Sequence, residues 1–450
     1  MKIHLISIGG SIMHNLAISL QKAGHLVSGS DDEIYNPARD RLKKYGLLPI
    51  KEGWDTVNIH PGLDLIILGM HARKDNPELI KAQELGIKIY SFPEFIFKHS
   101  KQKTRVVVAG SHGKTTTTSL LLHVLQYHGR KFDYLVGAQL EGFENMVRLS
   151  DADLMVIEGD EYLSSATDRI PKIWHYYPQV TIITGIAWDH MNVFPTWDDY
   201  LHAFREYFQR LPDGALVYYY QDDPVLSDLI SGTEPRIKAI PYREFPYRIK
   251  EGRNWIQVLG EDIQLKIFGK HNMENLQAAF LVLKQLGISE EEFSEAIRSF
   301  QGASKRLQQV QETATSISFL DFAHAPSKVK ATVAAVKSLF PQRKLTACLE
   351  LHTYSSLNKD FLPQYFQSME VADNAIIYFN EHTLAMKKMP LLSKEEIRKA
   401  FGMDRLQVFT DSEALKNYLH TFSWSNHNLL FMTSGTFGHM DIEHILPDQS

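Results

Sequence analysis

Thr104-Arg-Val-Val-Val-Ala-Gly-Ser-His-Gly-Lys-Thr-Thr-Thr-Thr-Ser119 is the stretch on which the reading of this 450-residue chain turns. A β-branched run, Val106 to Val108, meets a small-residue turn, Gly110-Ser111-His112-Gly113, and then Lys114, Thr115 and Thr116 open an apolar-periodic segment. Strand, loop and helix in that order make a phosphate cradle, because loop N–H groups and the positive end of a helix dipole face an anion. The lysine adds a mobile cation for outer phosphates, and the Thr115 hydroxyl can reach a magnesium ion. Val108 stands where the full phosphate-loop pattern has glycine. The competing reading is an ordinary glycine turn with a solvated lysine, which leaves four consecutive threonines without a reason.

The remaining chain weighs the two. Its length exceeds a single core, so two or three domains are expected. With 44% hydrophobic and 22% charged residues the composition is that of an ordinary globular protein. A formal net charge of −5 argues against nucleic acid as the partner. The single cysteine, Cys348, excludes an intramolecular disulfide and fits a reducing compartment. Met1 to Leu5 runs straight into a strand-like segment, unlike a signal peptide, and no stretch approaches the roughly 20 apolar residues of a membrane span. A cytoplasmic protein without a membrane partner is expected; its oligomeric state stays open.

Upstream, Ile3 to Ile8, then Gly9-Gly10 and a helical pattern, then Leu26 to Asp31, read as half of a doubly wound sheet. The turn lacks the complete dinucleotide fingerprint, so a nucleotide-bearing ligand is indicated more than a nicotinamide dinucleotide. Asp31 at the second strand's end is placed to meet a ribose or base edge; the alternative is that Gly9 and Gly10 merely permit a tight turn. His71 follows the buried strand 64–70 at its carboxyl end, where ligands bind in such sheets, and Asn76-Pro77 starts a helix. Basic Lys98 to Lys103 reads as a linker.

Downstream, Leu154 to Ile157 delivers Glu158-Gly-Asp-Glu161, and an acid leaving the strand beside a phosphate loop holds the magnesium that the threonine also touches. Val180 to His190 repeats the arrangement, ending in Asp189 and His190. Residues 236–268 read as antiparallel β structure. Asn272 and Asn275 share a helix face at i, i+3 and could read an adenine edge, unless Asn272 merely caps the helix. A third α/β unit starts near residue 303, with Asp321 and His324 after one strand and His352 after the next.

Taken together, Gly110-Ser-His-Gly-Lys-Thr-Thr-Thr117, Glu158-Gly-Asp-Glu-Tyr162, Asp189-His190, Gly269-Lys-His-Asn-Met-Glu-Asn275 and Asp321-Phe-Ala-His-Ala-Pro326 resemble the Mur ligases, the ATP-dependent amide-forming enzymes of peptidoglycan synthesis. The resemblance covers essentially the whole chain. It implies an α/β fold of three domains: a Rossmann-like domain for UDP-N-acetylmuramate over residues 1–100, a phosphate-loop ATPase domain over 101–302, and a Rossmann-like domain for an amino acid or peptide over 303–450. It also implies ATP and Mg2+ as cofactors. Gly110 to Thr116, Asn272, Asn275, Arg306 and Asp321 would then contact ATP, with Lys114 stabilising the transferred phosphoryl group. Thr115 and Glu158 would hold one magnesium ion and His190 a second, and Glu158 and His190 join Lys114 as the catalytic set. Gly9, Gly10, Asp31, His71, His324 and His352 would contact substrate, and domain closure would assemble the site.

Gly9-Gly-Ser-Ile-Met-His-Asn-Leu-Ala17 and Ser28-Gly-Ser-Asp31 resemble the branch that uses free UDP-N-acetylmuramate. One type in that branch adds L-alanine, and another reattaches the tripeptide L-alanyl-γ-D-glutamyl-meso-diaminopimelate. Gly69-Met-His-Ala-Arg-Lys-Asp-Asn-Pro77 and Asp321-Phe-Ala-His324 look closer to the tripeptide type. Leu351-His352-Thr353 replaces the Pro-Arg pair common there, and Ala325 stands where that type has a second histidine, so both acceptors stay open.

Overall fold

A computed structural model describes all residues except 189, 190, 192, 233–235, 304, 305, 443 and 448–450. The chain divides into two compact units, Met1–Ile186 with Asp198–Arg243, and Ala187–Trp197 with Glu244–Ser450. Both are mixed α/β, and their larger sheets are mainly parallel.

The first unit holds two sheets. Leu26–Ser30, Lys2–Ile6, Leu65–Leu68 and Ile89–Ser91 lie side by side in that order, all parallel. Ile3, Leu5, Ile66 and Ile67 are fully buried, as expected of parallel strands covered on both faces. Asn76 caps the helix Pro77–Glu84 by accepting from the Glu78 and Leu79 N–H groups, at 2.9 and 3.1 Å, as its sequence predicts.

The second sheet has seven strands: Lys238–Tyr242, Leu216–Tyr220, Val180–Ile183, Thr104–Ala109, Leu154–Glu158, Asp133–Leu135 and Val147–Arg148. Every neighbouring pair is parallel except the last. The strand before the glycine turn is therefore central, and the ends of its neighbours, Glu158 and Ile183, arrive at the same edge. Lys238–Tyr242 corrects the sequence reading, since only the residues after it are antiparallel. Alternation marks a strand without naming its neighbour, and register with Leu216–Tyr220 decided the pairing.

Residues 98–103 also differ from a plain linker. Lys98, His99 and Ser100 finish the helix Phe92–Ser100, and fully buried Asp133 holds His99 at 2.8 Å and Lys103 at 2.7 Å.

The second unit holds an antiparallel sheet of Tyr247–Lys250, Arg253–Val258 and Glu261–Gln264. It also holds a six-stranded sheet ordered Gln308–Glu312, Ile317–Asp321, His427–Met432, Lys344–Glu350, Asn374–Tyr378 and Gln407–Phe409. Only its first pair is antiparallel. Gly269, with φ of 88°, precedes the helix Lys270–Gln285. A Cβ there would lie 2.6 Å from the Ala335 Cβ on helix Pro326–Leu339, so glycine permits the close approach.

Glu78, fully buried, stitches the first sheet to its helices. Its carboxylate accepts from the Asp55 N–H at 2.9 Å and Asn58 Nδ2 at 3.0 Å, lies 3.3 Å from His4 Nε2, and accepts from the Ser30 hydroxyl. Burial alone would raise its pKa; these donors outweigh that and hold it below the usual glutamate value. Glu78→Ala orphans several donors at once and should cost about 2–4 kcal/mol in urea unfolding at neutral pH. A carboxyl with a depressed folded pKa stabilises above its unfolded value of 4.5. The gap between wild type and variant should therefore shrink as pH falls below that value through the folded pKa.

Candidate active site

The edge of the seven-stranded sheet carries the first cluster. Thr104–Ala109 ends into Gly110, whose φ is 112°, and Gly113, at φ 78°, precedes the helix Lys114–Tyr127 without any side-chain cap. A Cβ on Gly110 would lie 2.5 Å from Thr184 Oγ1, so the turn is built for glycine by both conformation and space. The Ser111 N–H donates to the Gly185 carbonyl at 2.9 Å, and the Thr184 hydroxyl donates to the His112 carbonyl, tying the turn to the neighbouring strand's end.

Lys114 Nζ donates to the Gly110 carbonyl and to Glu161 Oε2, both at 2.7 Å. The Thr115 hydroxyl donates to Glu158 Oε1 at 2.7 Å, and the other Glu158 oxygen accepts from the Gly137 N–H at 2.8 Å. Thr115 and Thr116 are buried. Burial would lower the Lys114 pKa, but Glu161, Asp160 and Glu158 outweigh it and the net shift is upward, so the ammonium is charged at any physiological pH. Asp160 pairs with Lys172 at 2.5 Å; burial would raise its carboxyl, yet Lys172 and Lys114 hold it at about 2.

The donor set fits a nucleoside triphosphate with a hard divalent ion. A helix of fourteen residues starts on an αL glycine, a lysine stands on its first turn, and a hydroxyl and a carboxylate oxygen meet at ion-ligand range. Two family models match the chain, the Mur ligase family catalytic domain over residues 2–104 and the Mur ligase middle domain over residues 108–283. The UDP-N-acetylmuramate–L-alanine ligase of Caldanaerobacter subterraneus subsp. tengcongensis is 32% identical over 398 residues, 84% of this chain and 82% of that protein. The chain belongs to the Mur ligase family. It is an ATP-dependent, amide-forming ligase of peptidoglycan synthesis.

A Haemophilus influenzae ligase named for UDP-N-acetylmuramate and L-alanyl-γ-D-glutamyl-meso-2,6-diaminoheptandioate is 28% identical over 344 residues, covering 74% of this chain and 76% of that one. The solved UDP-N-acetylmuramate-alanine ligase MurC of Thermotoga maritima shares the fold, with a TM-score of 0.68 and 20% identity over 98% of this chain and 97% of that one.

The structure of this Mur ligase brings Asp31 to the first glycine turn. Asp31 Oδ2 accepts from the Gly9 N–H at 2.7 Å, and a Cβ on Gly9 would crowd that oxygen at 2.9 Å. Gly10 precedes the helix Ser11–Lys22. His71 is exposed beyond Leu65–Leu68. His190 and Asp189 lie outside the described residues.

In the second unit, Asn272 and Asn275 are buried together, with Asn275 Nδ2 3.4 Å from Asn272 Oδ1. Gly269, not Asn272, occupies the cap position, and Asn272 Nδ2 instead donates to the Phe268 carbonyl at 2.8 Å. Asp321 is buried, accepting from the Leu307 N–H at 3.0 Å and the Thr332 hydroxyl at 2.5 Å. The Arg306 guanidinium lies 4.7 Å over the Phe322 ring, and His324 Nδ1 is 2.9 Å from the Phe322 carbonyl oxygen. His352 Nδ1 stands 3.9 Å from buried Glu350, which also accepts from the Phe437 N–H at 2.9 Å.

Glu161, Asp160, Lys172 and Glu350 are the residues whose parts the sequence did not separate. The three acids within 158–161 were visible as a group. Which acid faces the lysine depends on the turn at Gly159, where a Cβ would meet Val107 Cγ1 at 2.8 Å. Glu350 could have been found as an acid ending a buried parallel strand.

Burial, with Asp32 nearby, raises the Asp31 carboxyl to about 7, although N–H donors oppose this. Between pH 3.8 and about 7 the unfolded chain sheds a proton that the folded chain keeps, so this group makes stability fall as pH rises across that window and level off above it. Asp31→Asn retains an acceptor for Gly9 and should remove that slope. Urea midpoints compared from pH 5 to pH 8 check it, and parallel curves for the two proteins would disprove the assignment.

Proposed function

We infer that this ligase joins the lactyl carboxylate of UDP-N-acetylmuramate to the amine of L-alanyl-γ-D-glutamyl-meso-diaminopimelate through an acyl phosphate, as a recycling reaction in the cytoplasm. The observation that carries the reading is the pairing of Lys114 with Glu161 beside the Thr115–Glu158 contact, at a glycine turn opening a helix. Residues 1–100 take the UDP-sugar, 101–302 the nucleotide and 303–450 the acceptor. Bound ATP supplies the phosphoryl group that activates the carboxylate.

The protein's own part is positioning and charge neutralisation, since an acyl phosphate needs no side-chain nucleophile. Loop N–H groups other than that of Ser111, which donates to the Gly185 carbonyl, orient phosphate oxygens, and Lys114 neutralises charge as it moves to the transferred group. Thr115 and Glu158 would hold one Mg2+ ion and His190 a second. Asn272 and Asn275 read adenine, while Arg306 and Asp321 serve the nucleotide from the C-terminal region. Gly9, Gly10, Asp31 and His71 serve the UDP-sugar. His324 and His352 serve the acceptor, where Asp321-Phe-Ala-His324 and the Haemophilus relative's name favour a tripeptide.

L-alanine is the second reading, favoured by the name of the 32% identical relative and by Ala325 and Leu351-His352-Thr353 at the acceptor loops. Phosphate release from ATP and UDP-N-acetylmuramate, with each acceptor added separately, separates the two. Release is expected with the tripeptide and not with L-alanine. Release with L-alanine alone installs the second reading, and release with neither sinks the assignment. Lys114→Ala should lower kcat by about 100-fold or more while leaving the circular dichroism spectrum unchanged.

A further inference from the structure

Three groups outside the phosphate-loop cluster converge in the first unit. Glu94 comes from the first turn of Phe92–Ser100, Asp168 from the loop following Glu161, and His175 from the short helix Lys172–His175. One ligand atom of each lies within 4.8 Å of the other two. His175 Nε2 and Asp168 Oδ2 are 2.7 Å apart, yet both atoms are buried and neither makes a hydrogen bond. A proton shared between imidazole and carboxylate lies along the line joining them, with aligned lone pairs. Two buried ligand atoms this close, misaligned for a hydrogen bond and facing a second carboxylate, are arranged around a common third point instead.

We propose that Glu94, Asp168 and His175 form a binding site for a divalent transition-metal ion of the Zn2+ or Mn2+ class. An imidazole nitrogen with two carboxylates suits these ions, whereas Mg2+ takes oxygen ligands and keeps its waters. Bonds of about 2.0–2.2 Å set the ligand atoms of a tetrahedral site about 3.3 Å apart, so the widest pair contracts by at most about 1.5 Å while the His175–Asp168 pair opens by about 0.6 Å. Rotation within the Glu94 side chain covers that distance. Its other anchoring is already present, because Glu94 Oε2 accepts from the Ser91 N–H at 2.7 Å in a capping box.

The position gives the ion a task. Lys172 and Ile173, on the same short helix as His175, hold Asp160: Lys172 Nζ by an ion pair at 2.5 Å, and the Ile173 N–H by donating to the Asp160 carbonyl at 3.2 Å. The ion therefore pins the far end of the acid loop to helix Phe92–Ser100. In doing so it fixes the segment that presents Glu161 to Lys114. Its role is positioning, and it stands whether or not the acceptor is the tripeptide.

The test titrates Zn2+ into chelator-stripped full-length protein by calorimetry, with excess Mg2+ present. One ion per chain is expected, with a rise in thermal midpoint and slower proteolysis within residues 162–171. Affinity should fall at least about tenfold in His175→Ala and in Glu94→Gln, the latter keeping the helix cap, and persist in Glu158→Gln. Circular dichroism establishes that each variant is folded. No stoichiometric uptake by the wild type overturns the proposal and leaves a histidine–aspartate ion pair. Uptake unchanged in both site variants, or lost only in Glu158→Gln, overturns it equally.

Discussion

Lys114 is a partly buried ammonium held between a carbonyl of its own loop and a buried carboxylate of the next strand's loop. A charge in that position is tolerable only with a partner. Glu161 meets it because the parallel register of Thr104–Ala109 with Leu154–Glu158 brings both strand ends to one edge. Gly159 lets the acid turn pass against Val107. The remaining features of the cluster follow: Thr115 falls against Glu158, and Asp160, turned the other way, takes Lys172.

The same device recurs at other strand ends. Asp31 accepts the N–H of Gly9, Glu158 that of Gly137, Asp321 that of Leu307 and Glu350 that of Phe437. Each carboxylate sits at the carboxyl end of a parallel strand and uses one oxygen to fix a neighbouring loop. A loop alone cannot hold a functional side chain to a fraction of an ångström; a loop tied to a strand-end acid can. Ligand residues and scaffold residues thus overlap, which is why Asp31, Glu158 and Asp321 read from the sequence as ligand residues while their scaffold role did not.

Much of the fold was legible because parallel strands read as continuous apolar runs and many are followed by a helix, some with an ordinary start signal, as at Asn76-Pro77. The glycine turn, its lysine and the Thr115–Glu158 contact were legible for the same reason, being fixed by adjacent elements. What failed was long-range. Lys238–Tyr242 alternates like its antiparallel successors, and only the presence of Leu216–Tyr220 beside it settles its direction. Lys98 to Lys103 read as linker because their common anchor, Asp133, lies thirty residues or more away. The alternative reading of Asn272 as a helix cap suited its sequence position, but Gly269, at φ 88° and ψ 146°, takes that position instead.

Charge at the phosphate edge bears on what the cluster can bind. Glu158, Asp160 and Glu161 bring three carboxylates against the ammonium groups of Lys114 and Lys172, a balance unfavourable to a polyanion. Lys172 is committed to Asp160, and Lys114 must leave Glu161 to reach a phosphate oxygen, exposing a buried carboxylate as it does so. A polyphosphate arriving alone would raise the negative charge further. Arriving with a divalent ion, it supplies the compensation that the side chains lack, and Thr115 with Glu158 offers that ion hard oxygen ligands. The magnesium of the proposed reaction would therefore serve electrostatic balance at this edge as much as phosphoryl chemistry.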